Sequence, residues 1–124
     1  MHQKSDNILN ILSILLPGDR GDYMKQPKLV RDRIPEIIKA KGRTLKYSIA
    51  KDDSEYYRFL MKKLDEEVKE LKESNNPDEL PDIMEVLYAL AEYHKISPEM
   101  LEEKRKQKLK ERGGFKKRII LADW

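Results

Sequence analysis

Residues 53–94 read DSEYYRFLMKKLDEEVKELKESNNPDELPDIMEVLYALAEYH, and their spacing decides the fold. Tyr57, Leu60, Met61, Leu64, Val68 and Leu71 recur at three- and four-residue intervals. On a helical wheel they fill one arc of about 100°. Asp52-Asp53-Ser54 supplies cap residues, so a helix is predicted over Ser54–Glu73. Ser74-Asn75-Asn76-Pro77 then reads as a turn. Asn76 or Asp78 caps a second helix running to His94, with Ile83, Met84, Val86, Leu87, Leu90 and Ala91 on its apolar face.

Both helices carry carboxylates where an apolar side chain is expected. Glu67 falls at the rim of the first arc, three residues after Leu64 and four before Leu71, with Glu70 on its flank and Glu66 farther out. Glu79 falls between Val86 and Leu90 on the second wheel, with Asp82 at the edge. Each helix therefore points an i, i+3 acidic pair toward the core. Burying such groups without partners is costly. A hard divalent cation relieves that cost, and oxygen donors favour Mg²⁺, with Mn²⁺ as a substitute, over zinc. The competing reading is a solvated helix face with ordinary i, i+4 ion pairs.

Outward from this stretch, Ile34–Lys41 reads as a short helix with Pro35 in its first turn and Gly42 at its end. Thr44–Ala50 (TLKYSIA) alternates like a strand, and Arg118–Leu121 (RIIL) could pair with it. Ser97-Pro98-Glu99 opens a last helix that Gly113-Gly114 stops at Arg112. These elements predict an all-α helical bundle of three or four helices with at most a short two-stranded β element. Residues 1–27 look different and read as an N-terminal extension to a domain spanning 28–124. Met24 offers a second start; otherwise Ile8–Leu16 is an amphipathic helix on the core.

Composition narrows the function classes. The 124 residues fit one domain. Charged residues make up 40% and apolar residues 39%, against about 25% charged in an average globular protein. There is no cysteine, which excludes disulfides, thiolate metal sites and a cysteine nucleophile. With no apolar run near the about 20 residues of a membrane span, the expectation is a soluble, cytoplasmic protein. His94, on the apolar arc, is expected as a core or interface residue.

Charge is segregated along the chain. Asp65–Glu103 holds 13 Asp/Glu against three lysines, a net of −10, and Lys104–Arg118 holds nine Lys/Arg against Glu111, a net of +8. Lys104, Lys108 and Arg112 share one face of the last helix at i, i+4 and i+8. Such a stripe suits phosphate, with lysine as a point charge and arginine as a fork. It also suits an exposed, salt-bridged helix or a nucleic-acid backbone. The acidic middle and the lack of interleaved aromatics disfavour nucleic acid.

Glu66-Glu67-x-x-Glu70 followed by Glu79-x-x-Asp82 resembles the EExxE…ExxD signature of the MazG-like, all-α nucleoside triphosphate pyrophosphohydrolases. Lys28-Leu29-Val30-Arg31-Asp32-Arg33-Ile34-Pro35 and Glu111-Arg112-Gly113-Gly114-Phe115 resemble a small, single-domain branch of that superfamily. The resemblance spans residues 28–121. It implies a four-helix-type MazG-like fold and the reaction NTP + H₂O → NMP + PPi, serving to clear aberrant or surplus nucleotides. It implies Mg²⁺ ligation by Glu67, Glu70, Glu79 and Asp82, water orientation or proton abstraction by Glu66 or Glu67, and phosphate contacts from Lys104, Lys108 and Arg112. Arg31 and Arg33 match the branch motif and are further phosphate candidates. A homodimer is expected, since so short a bundle completes its core with a second copy. One departure is Pro81, where the family commonly has alanine; it threatens a kink between two ligands. The alternatives are phosphoribosyl-ATP hydrolysis in histidine synthesis and a non-catalytic module binding nucleic acid or protein.

Overall fold

Asp52 opens the long helix by accepting a hydrogen bond from the Glu55 N–H at 2.8 Å, which meets one of the free donors of the first turn. In the computed structural model, which describes residues 26–124, that helix runs Asp53–Ser74. The order is α1 (Ile34–Ala40), α2 (Asp53–Ser74), a 3-10 turn (Pro77–Glu79), α3 (Leu80–Tyr93) and α4 (Pro98–Arg112). The described residues are all-α. The Ile8–Leu16 run and most of the 1–27 extension lie outside them.

The reversal after α2 sets up everything that follows. Asn75 takes a left-handed conformation (φ 53°) and its N–H bonds the Leu71 carbonyl at 2.8 Å, ending the helix. Asn76 then caps the 3-10 turn through its side chain, which accepts from the Asp78 N–H at 2.9 Å. Because α3 proper starts only at Leu80, Pro81 sits in its first turn, where no intrahelical N–H is needed. The helical bond that the sequence reading put at risk is therefore never required of it.

The described residues fall into two compact units, divided between Leu87 and Tyr88. Its buried apolar side chains are Ile38, Leu60, Val86 and Ala91, and three carboxylates, Glu67, Glu79 and Asp82, are equally buried. Nearly as many buried acids as buried hydrophobes means that this interior is not arranged for stability alone. On α3, Leu80, Met84, Leu87 and Tyr88 remain exposed.

Two expectations are corrected. Neither Thr44–Ala50 nor Arg118–Leu121 forms a strand. Tyr47, Ile49, Ile119 and Ile120 are exposed, so the alternation has no face to bury, and Arg118 at φ 56° breaks the extended backbone where the second strand would begin. His94, expected in the core or at an interface, is not in the core. It lies just past α3, exposed, with its ring edge-on to Tyr93 at 5.2 Å. The helix ends there because Lys95 turns left-handed and the Ile96 N–H reaches back to the Ala91 carbonyl at 2.8 Å. Among the described residues no helix is long and apolar enough to cross a membrane.

Candidate metal centre

The 3-10 turn packs against α2, and the carboxylates of α2, the turn and the first residues of α3 meet. Glu66, Glu67 and Glu70 each offer an oxygen within 4.8 Å of the others, and so do Glu67, Glu79 and Asp82. The two triads share Glu67. That residue is only 2% exposed because it occupies a core position on the apolar stripe of α2. Its Oε1 is buried with no hydrogen-bond partner. An orphaned carboxylate oxygen in an interior is rare and marks strain, a catalytic role, or a place for a water or an ion.

Among the described residues, cations reach the cluster from three places. Lys63, one helical turn before Glu67, lies 3.3 Å from its Oε2 and 3.4 Å from the Glu66 Oε2. Lys28 donates to that same Glu66 oxygen at 3.0 Å. Arg31 donates through Nη2 to Asp82 Oδ1 at 2.9 Å. Ser74, at the end of α2, donates to Glu79 Oε2 at 3.3 Å and so fixes a carboxylate of the turn.

Among the described residues three cations face five carboxylates, and protons respond to the crowding of negative charge. Burial pushes the Glu67 carboxyl up; Lys63 opposes this and the Asp82 and Glu66 charges add to it. Glu70 is pushed up to about 7, by burial first and then by the charges of Glu67, Glu66 and Glu79. A carboxyl that holds its proton near neutrality is one whose anionic form lacks sufficient positive charge nearby. A divalent cation supplies such charge, and an all-oxygen donor set suits Mg²⁺ or Mn²⁺.

All five carboxylates named by the sequence reading are thus brought together. Arg31 joins them. Arg33 does not: it pairs with Glu36 in the first turn of α1 and is almost fully exposed. Lys104, Lys108 and Arg112 are exposed along α4 and form no ion pair among the described residues. Sequence reasoning missed Lys28, Lys63 and Ser74. The Lys63 contact was available as an i, i+4 spacing to Glu67; the Lys28 contact spans 38 residues and leaves no local signal.

No family model matches the chain. No solved structure matches it. An uncharacterized protein of Mycolicibacterium smegmatis is 53% identical over 51 residues, 41% of this chain and 51% of that protein. The chain thus spans about half the length of the curated relative it matches. The metal-centre reading therefore stands on the residues themselves.

Proposed function

We propose that the chain is a divalent-cation-dependent nucleoside triphosphate pyrophosphohydrolase. It catalyses NTP + H₂O → NMP + PPi and serves nucleotide-pool clearance in the cytoplasm. The observation that carries this reading is the buried Glu67–Glu79–Asp82 triad with its orphaned Glu67 Oε1. Glu67, Glu70, Glu79 and Asp82 would hold Mg²⁺ or Mn²⁺. Such an ion supplies polarisation of phosphate oxygens and a lowered pKa for water.

The chain's own groups do the rest. Lys28 and Lys63 both take the Oε2 of Glu66. Its other oxygen is left to accept from a water and draw off its proton as the water oxygen bonds to the α-phosphorus. The bridging P–O bond to the β-phosphate breaks, and the electron pair leaves with pyrophosphate. Lys104, Lys108 and Arg112, exposed and without ion pairs among the described residues, are available to the polyanion. A homodimer belongs to the same reading, because Leu80, Met84, Leu87 and Tyr88 leave an apolar stripe of α3 uncovered.

The test is product analysis on a panel of NTPs and dNTPs, with Mg²⁺, with Mn²⁺ and with chelator. Equal NMP and pyrophosphate, lost with chelator, is the expected result. Orthophosphate release would assign a different phosphohydrolase reaction. Salt-dependent binding of DNA by the α4 stripe, with no turnover, would favour a non-catalytic module.

A further inference from the structure

Lys28 and Arg31 differ from the other described cation at the cluster, Lys63, in how they meet it. They come from residues 26–33 ahead of α1, which form no helix or strand, and they pair with residues 38 and 51 positions away. Asp82 is 4% exposed, while the Arg31 side chain bonded to it is 39% exposed. The guanidinium therefore joins a buried carboxylate to solvent. Lys28 (24% exposed) and its partner Glu66 (25% exposed) are both half-buried, so this ammonium sits on a carboxylate already open to solvent.

Their donors are mostly unspent. A guanidinium carries five N–H groups and an ammonium three. Arg31 uses Nη2 on Asp82 and Lys28 makes one bond to Glu66, and neither makes another hydrogen bond among the described residues. A counter-ion serving only the fold would resemble Lys63, which is 12% exposed and shared between two carboxylates. Arg33 marks the other extreme, in solvent and engaged by Glu36. Among the described residues, Lys28 and Arg31 alone combine an anchor on a site carboxylate with free donors. They also stand on different triads, Lys28 through Glu66 and Arg31 through Asp82, and the triads meet at Glu67.

We propose that Lys28 and Arg31 are substrate-positioning residues that together grip the diphosphate unit of the substrate, the part that leaves as pyrophosphate. This rests on the pyrophosphohydrolase reading. Each carboxylate anchor fixes its cation in place, so little side-chain freedom is lost when phosphate arrives. The Arg31 fork suits two phosphate oxygens at once, and Lys28 adds a point charge. Without substrate the same two cations partly satisfy the carboxylates and so compete mildly with a divalent ion.

The experiment uses the full chain and the variants Lys28→Met, Arg31→Met, Arg31→Lys and Arg33→Gln. Mn²⁺ binding is measured alone by electron paramagnetic resonance. Inorganic pyrophosphate binding is measured by calorimetry in saturating Mn²⁺. Lys28→Met and Arg31→Met should bind pyrophosphate at least tenfold more weakly, with Mn²⁺ affinity unchanged or higher. Arg31→Lys, which keeps the charge beside Asp82 but loses the fork, should keep wild-type Mn²⁺ binding and lose several-fold in pyrophosphate affinity. Arg33→Gln should match the wild type. Loss of Mn²⁺ binding in Arg31→Lys, or undiminished pyrophosphate binding in both methionine variants, would overturn the proposal. If the wild type turns over no nucleotide yet the pyrophosphate pattern holds, the gripping pair stands and the assigned reaction falls. If the wild type binds neither Mn²⁺ nor pyrophosphate, both fall.

Discussion

α2 and α4 are both crowded with charge, yet one buries it and the other does not. α2 carries an apolar stripe, and a glutamate stands in it; burying Leu60 and its neighbours drags Glu67 inside. α4 has no such stripe. None of its residues is buried, and Met100 and Leu109 stay exposed. Its charges remain in water, where Arg105 pairs with Glu102 one turn away and each favours the other's charged form. Charge density alone therefore says little about function. Charge forced into an interior by the hydrophobic pattern says more, because the fold carries its cost and something must offset it.

The sharpest way to break this comparison is Glu67→Gln. On α2 it should lower turnover at least about 100-fold, as expected when a metal ligand is lost. In the metal-free protein it should raise the melting temperature by about 2–5 °C, since relieving about 1 kcal/mol in a domain of this size moves the midpoint by that order. A lower metal-free melting temperature would show that the carboxylate supports the fold instead of burdening it.

Acidity gives a smaller, graded effect. The folded pKa of Glu70, about 7, lies above its ordinary 4.5. The native state then holds more protons than the unfolded chain between those values. Metal-free stability should fall as pH rises through that window and level off above it. Divalent-cation affinity should rise over the same range, because protons compete for the carboxyl. Glu70→Gln should flatten the stability profile; an unaltered slope would place the titration elsewhere.

The matching substitution on α4 should do little to the fold. Lys108→Gln is expected to leave stability within about 0.5 kcal/mol, as for an exposed site without special contacts. It should raise KM several-fold and leave kcat unchanged. A fall in kcat would give α4 a part in the chemical step. Smallest of all is Pro81→Ala. With Pro81 in the first turn of α3, the change should cost less than about 1 kcal/mol, mainly through a freer unfolded chain, and leave Mn²⁺ binding as it was.

The acidic site was legible because it rests on helical periodicity. Leu64, Glu67 and Leu71 share a face by arithmetic, and so do Val86 and Leu90 around Glu79. Caps at Asp52, Asn76 and Ser97 were equally plain, since each side chain bonds a backbone N–H two or three residues on. What stayed hidden depends on chain reversal. Lys28 and Arg31 meet Glu66 and Asp82 only after residues far apart in sequence come together, and no local period encodes that. The two strand expectations failed for a related reason. Alternation in 44–50 and 118–121 describes a surface that could pair, but pairing needs a partner and a face to cover.

The most direct measurement is Mn²⁺ binding to the wild type and to Glu67→Gln, followed by electron paramagnetic resonance, with thermal melts alongside. The account predicts saturable binding by the wild type and affinity at least tenfold weaker in Glu67→Gln. It also predicts stabilisation of the wild type by about 2.7 kcal/mol at a hundredfold excess over its Kd, and by at least about 1.3 kcal/mol less for Glu67→Gln at the same Mn²⁺ concentration. Equal affinity in the two proteins, or no saturable binding by the wild type, would contradict it.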